Sequence, residues 1–236
     1  MNTPISHSIQ RIGKTPLKTD PFPHLFIEQI FPDEFYQEIL ESLPDPSYYL
    51  PSQSNVQTWG FSLDDDNIDR LPFGHMLFWK RFCHLLCSDA WMIAVLEKFQ
   101  PHLKGSFQES IEKKHLYPIV QIDQSKPGYS IGPHTDHPAK VATFLFYLPS
   151  SQAQGHLGTA LYRPKKGGFT CRGLHRYPFE DFEKVGKAPF IANAAFGFLK
   201  TEDSFHGVEV VGPGEKERNL ISYTIWKNVL NQGSQT

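Results

Sequence analysis

Cysteine is scarce in this 236-residue chain: Cys83, Cys87 and Cys171 are the whole set. An odd, sparse set excludes the paired framework of a small secreted disulfide scaffold. Cys83 and Cys87 are four apart in a helical-looking segment, so they share a face and read as small buried hydrophobes rather than a metal pair. An excess of charge of either sign is also missing. Net charge is −2, the pI is near 6.6, and Lys and Arg never cluster beyond a doublet. That leaves no basic face for a phosphate backbone, so no nucleic acid is expected as a partner. No apolar run approaches the roughly 18 residues of a membrane span. The N-terminal "MNTPISHSIQRIGKTPLKTDPF" has no hydrophobic targeting core. The expectation is a cytoplasmic protein with no membrane partner. No phosphate-loop pattern "GxxxxGK" occurs, and nucleophilic Ser-His-Asp chemistry is not expected.

What is present is a folding composition. Hydrophobic residues make up 39% and charged residues 20%, which suits a packed core rather than a disordered chain. Aromatics reach 14%, with 19 Phe, favouring aromatic-rich strands. Residues 1–20 read as a loose polar leader and 24–31 as a strand. Residues 32–44 read as an amphipathic helix with Phe35, Ile39, Leu40 and Leu43 on one face, stopped by Pro44. Residues 45–72 are turn-rich; their acidic run "DDDNID" reads as a solvated helix start rather than a cation site. One or two helices are expected over 73–103, whose His75, His84 and His102 have no partner at ligand spacing. Strands are expected at 115–123 and 140–149, and short β segments from 150 onward. A long interruption, 164–189, is functional or locally folded. Together these predict a single α+β domain over 1–236. A mainly helical flank (21–114) precedes a double-sheet jelly roll of about eight strands (115–227).

The chemistry concentrates in "YSIGPHTDHPAKVATFLFYLP", residues 129–149. His134 and Asp136, two apart, fall on one side of an extended chain. His206, opening a later strand beside Gly207, is the best third ligand. Two imidazoles and a carboxylate on one face leave open positions on a metal, the arrangement of non-haem Fe(II) oxygenases. His137 points to the opposite side and reads as a neighbour rather than a ligand. Arg218 opens the apolar "RNLISYTIW" twelve residues after His206. A strand-borne Arg is costly to bury unless it meets an anion, and a dicarboxylate suits its two-pronged geometry.

The order strand, Pro-Gly turn, H-x-D, "FLFYLP", G-x-x-L-Y, distal His and Arg resembles the 2-oxoglutarate/Fe(II)-dependent dioxygenases, prolyl-hydroxylase-like branch, over residues 115–227. The resemblance implies a double-stranded β-helix, a jelly-roll, cupin-like core with N-terminal flanking helices. It implies Fe(II) on His134, Asp136 and His206, with 2-oxoglutarate and O2 as co-substrates. It also implies co-substrate binding by Arg218, joined by Tyr147 in "FYLP", Ser222 four residues after Arg218, and Thr143 on the face of Tyr147. Two segments depart from the branch: "LGTALY" (157–162) stands where relatives carry a Gly-Gly pattern, and "QIDQSKPG" lacks a Tyr before the turn, leaving Gln121 or Gln124 in its place. A carboxylate at Asp136, rather than the Gly or Ala of halogenating relatives, implies hydroxylation or a related oxidation. The expected activity is hydroxylation of a small-molecule substrate with decarboxylation of 2-oxoglutarate to succinate. A peptidyl hydroxylase and a non-catalytic metal- or sugar-binding barrel are the alternatives. The 164–189 segment, with Arg163, Lys165, Lys166, Arg172, His175 and Arg176, tilts basic and is a candidate lid.

Overall fold

The computed structural model describes residues 3–52, 57–103 and 115–228. Residues 4–14, expected as a loose leader, form helix α1 (Pro4–Lys14). The reason lies in local chemistry the polar composition masks: Thr3 caps the helix through the Ser6 N–H, Pro4 pre-sets its first turn, and Ile12 is buried. Its Ser8 hydroxyl is bonded to the Ile30 carbonyl at 2.7 Å. Strand β1 (His24–Ile27) and helix α2 (Asp33–Glu41) follow, both within the expected spans.

The turn-rich stretch turns out to hold strands β2 (Leu50–Pro51) and β3 (Thr58–Ser62) and the short helix α3 (Asp65–Ile68). The acidic run is a helix start, with the Asp64 carboxylate accepting from the Asn67 N–H at 3.0 Å. Helices α4 (Phe73–Leu86) and α5 (Asp89–Phe99) divide at Ser88, which caps α5. Eight strands follow among the described residues: β4 (Leu116–Ser125), β5 (Ile131–His134), β6 (Lys140–Leu148), β7 (Thr159–Pro164), β8 (Phe182–Ala188), β9 (Ala195–Leu199), β10 (His206–Val208) and β11 (Arg218–Lys227). The 164–189 interruption thus contains β8.

Two antiparallel sheets face each other. The larger has the order β1-β9-β6-β11-β4-β3-β2 and the smaller β5-β10-β7-β8. Strand alternation divides the larger sheet into two chemically different faces. Ile221, Tyr223 and Ile225 of β11, with Phe144 and Phe146 of β6 and Ile122 of β4, join the helix-side core around Trp79, Phe82 and Trp91. The opposite face carries Arg218, Leu220, Ser222 and Thr224 from β11, Thr143 and Leu145 from β6, and Gln121 and Asp123 from β4; these line a cavity of about 370 Å³ between the sheets. The helices cover one face of the large sheet and leave the other for chemistry. The Tyr36 hydroxyl of α2 reaches the Tyr147 carbonyl at 3.3 Å, fixing the helical layer on β6.

Candidate metal centre

The smaller sheet brings the two histidines together. In the β5–β10 pairing His134 stands opposite His206, and the ring centroids are 4.4 Å apart. This close register needs Gly207. A Cβ there would lie 2.5 Å from the Ile131 carbonyl oxygen and 3.2 Å from Gly132, so any side chain would push β10 off β5. Asp136 follows β5 by two residues. One ligand atom from each of His134, Asp136 and His206 lies within 4.8 Å of the others, so the three can surround a single ion.

The hydrogen bonds prepare each ligand. His134 Nδ1 is 3.0 Å from the Gly132 carbonyl, and His206 Nδ1 is 3.0 Å from the Ser204 carbonyl. A carbonyl only accepts, so Nδ1 of each ring is the protonated nitrogen and Nε2 keeps its lone pair for a metal. Burial pushes the His134 pKa down to about 3, with the neighbouring His206 adding to the effect. Burial also lowers His206. Both rings are therefore neutral near pH 7, the form that ligates. Burial works against the Asp136 charge, but Lys140, the two imidazoles and the Thr143 hydroxyl outweigh it and hold this carboxyl below the usual range. Lys140 Nζ is 3.2 Å from Asp136 Oδ1, and the Thr143 hydroxyl donates to Oδ2 at 2.8 Å. Neutral imidazoles, an ionised carboxylate and Nε2 atoms left free are the donor set of a divalent transition metal.

Arg218 reaches the same cavity from β11. It is 2% exposed, yet its partners are neutral: Nε donates to the Leu157 carbonyl at 2.7 Å, and a terminal nitrogen lies 3.5 Å from Thr159 Oγ1. The guanidinium also sits over the Phe190 ring at 4.9 Å and the Tyr147 ring at 5.8 Å. No carboxylate among the described residues pairs with it.

The remaining sequence candidates separate by what they touch. Thr143 lines the cavity and is bonded to Asp136. Tyr147 is fully buried behind the cavity wall, and its hydroxyl lies 2.8 Å from Thr159 Oγ1. Ser222 lines the cavity and donates to Asp123 at 2.7 Å. Gln121 also lines it, whereas Gln124 is bonded to Asn219 at 3.2 Å. His137 Nδ1 accepts from the Ala139 N–H at 3.1 Å, and its ring lies against Trp226. The stretch Gly128–Gly132 spells G-x-S-x-G. It leads from β4 into β5, whereas a hydrolase nucleophile sits between a strand and a helix.

Three cavity residues escaped the sequence reading. Thr159 lies in the "LGTALY" departure and links Tyr147 to Arg218. Tyr129 follows the Pro-Gly turn and lines the cavity within electrostatic reach of Arg218. Asp123 faces the cavity from β4. Alternation places Asp123 on the face of Gln121, but which face of β4 looks inward is set by the sheet partner.

Comparison with known structures decides the architecture. A prolyl-4-hydroxylase from Pseudomonas putida superimposes with a TM-score of 0.51 at 11% identity, covering 96% of this chain and 100% of that one. A prolyl hydroxylase from Trichoplax adhaerens, in complex with a hypoxia inducible factor oxygen degradation domain peptide fragment, gives 0.55 at 13% identity, covering 94% and 89%. The chain has the double-stranded β-helix fold of the 2-oxoglutarate oxygenases. HygX from Streptomyces hygroscopicus, with nickel, 2-oxoglutarate and hygromycin B bound, gives 0.51 at 11% identity over 87% of this chain and 83% of that one. No family model and no curated protein matches the sequence. The fold likeness therefore rests on shape.

Proposed function

We propose that the protein is an Fe(II)- and 2-oxoglutarate-dependent oxygenase that hydroxylates a small molecule while 2-oxoglutarate is decarboxylated to succinate. The observation that carries this reading is Arg218. It is a buried, permanently charged group whose partners among the described residues are all neutral, opening into the cavity that holds the His134–Asp136–His206 triad. A guanidinium so placed is costly unless an anion meets it. The distal carboxylate of 2-oxoglutarate supplies that anion, and its keto-acid end then faces the triad. Bound iron supplies the activation of O2 against an unreactive C–H bond.

The residues around it bind and orient. His134, Asp136 and His206 hold the metal on one face. Thr143 and Lys140 fix the two oxygens of Asp136, so its orientation is set before the metal arrives. Arg218 draws in the co-substrate, and Thr159, buttressed by Tyr147, offers a hydroxyl beside it. Phe198 lines the cavity and Phe190 lies under the Arg218 guanidinium, giving the anchor apolar surroundings. The nickel, 2-oxoglutarate and hygromycin B held by HygX support a small-molecule substrate.

The test is succinate formation by purified protein with Fe(II), 2-oxoglutarate and O2, across amino acids, sugars, carrier-bound acyl groups and peptides. Succinate that depends on a small molecule supports the reading. Succinate that depends only on peptides assigns a peptidyl hydroxylase. None with any compound, together with no binding of 2-oxoglutarate, leaves a non-catalytic barrel.

A further inference from the structure

Asp123 stands outside the His134–Asp136–His206 group, yet it is a carboxylate turned into the cavity. It is built in rather than incidental. The Ser222 hydroxyl donates to one oxygen at 2.7 Å and the Gln121 amide to the other at 2.5 Å. Gln121 can lie this way because Gly60 stands opposite Asp123 in the β3–β4 register. A Cβ on Gly60 would be 2.5 Å from the Gln121 amide nitrogen. Each carboxylate oxygen thus receives one protein hydrogen bond and keeps further acceptor capacity for a ligand.

Its charge is under-compensated. The cavity is lined by three cations: Lys140 sits on Asp136, Arg218 on the Leu157 carbonyl, and Arg176 stands exposed on the loop between β7 and β8. Neither Lys140 nor Arg218 is in an ion pair with Asp123. Burial pushes this carboxyl above its ordinary range, although Ser222, Gln121, Lys140 and Arg218 all act against that. A dicarboxylate on Arg218 gains nothing from a second carboxylate on the same face of the neighbouring strand, so Asp123 serves the other occupant. The basic tilt of the 164–189 segment does not reverse this. Arg163 is paired with Asp20, Arg172 with Glu202, and Lys165 with the Glu180 carbonyl, all at the surface.

We propose that Asp123, held by Ser222 and Gln121, receives an ammonium group of the primary substrate, so that the substrate class is an amine. The proposal rests on the oxygenase reading for the word substrate, but the binding it predicts is measurable without turnover. Putrescine, ethanolamine, glucosamine and L-lysine are titrated into the protein, with and without Mn(II) and 2-oxoglutarate, against 1,4-butanediol, ethylene glycol, glucose and Nα,Nε-diacetyl-lysine. At least one amine is expected to bind about tenfold or more tightly than its neutral counterpart. Asp123→Asn should remove the difference and Asp123→Glu should keep part of it. Thermal melts of both variants establish that they fold. If no amine is preferred by the wild type, or if a preference survives in Asp123→Asn, the proposal is overturned. Should the wild type fail to bind 2-oxoglutarate while an Asp123-dependent amine preference remains, the oxygenase reading falls and the amine site stands.

Discussion

At the scale of single residues, Arg218 and Thr143 make the sharpest expectations. Arg218→Met removes a charge-assisted anchor, worth about 1.5–3 kcal/mol per hydrogen bond to a charged group. The affinity for 2-oxoglutarate should fall about 100-fold by calorimetry, while Mn(II) still binds. Because the guanidinium pairs with no carboxylate among the described residues, the same variant should melt no lower than the wild type. A large drop in melting temperature would show that Arg218 is structural. Thr143→Val keeps the shape but deletes the hydrogen bond to Asp136 Oδ2. Losing such a support costs about 10–100-fold in metal affinity, read here by Mn(II) titration. Thr143 stands in the sequence as a co-substrate contact on the face of Tyr147. The short reach from β6 to the turn bearing Asp136 also puts its hydroxyl on that carboxylate.

At the scale of elements, the β5–β10 pair is the frame of the site. Gly207→Ala inserts a Cβ within 2.5 Å of the Ile131 carbonyl oxygen, so the strands must part. A destabilisation of about 1–3 kcal/mol is expected. Metal binding should fall more steeply than in a variant of equal stability loss in the helical layer, because His206 moves with β10. The loop between β7 and β8 is tied to this frame. Tyr177 N–H donates to the Pro133 carbonyl at 2.9 Å, and Gly173, at φ +128°, lies against the Asp136 backbone. The basic 164–189 segment was legible as functional or folded from its length. That it holds strand β8 and packs behind the H-x-D turn was not, because a loop's docking site is not encoded in its own composition.

At the scale of the whole molecule, the helical layer and the cavity load opposite faces of one sheet. Trp91 is fully buried, with its ring against Phe146 and Tyr223. Trp91→Ala should cost about 3–5 kcal/mol in denaturant unfolding, without altering relative affinities for cavity ligands. Three buried imidazoles also tie stability to pH. His24, His134 and His206 are all held below the ordinary value of 6.5, each chiefly by burial. Below that pH the unfolded chain takes up protons that the folded chain refuses, so the metal-free protein should lose stability as pH falls through about 6 toward 4. His24→Asn, remote from the metal ligands in sequence, should make that loss shallower in melts across the range.

The sequence by itself pointed to side chains that the fold brings together at one cavity. The H-x-D spacing, the distal His206 and a strand opening on Arg218 were all readable, because strand periodicity and the cost of burying charge are local or compositional facts. It also placed helices ahead of most of the strands, although β1, β2 and β3 of the expected helical flank join the larger sheet. Tertiary structure decided the assignments inside the cavity: Thr143 on Asp136, Tyr147 behind Thr159, Ser222 on Asp123, and Tyr129 within reach of Arg218. Each depends on which strand lies beside which. The antiparallel neighbours β11 and β4 are about 100 residues apart in the chain at the Ser222–Asp123 contact, a separation over which no local pattern carries register.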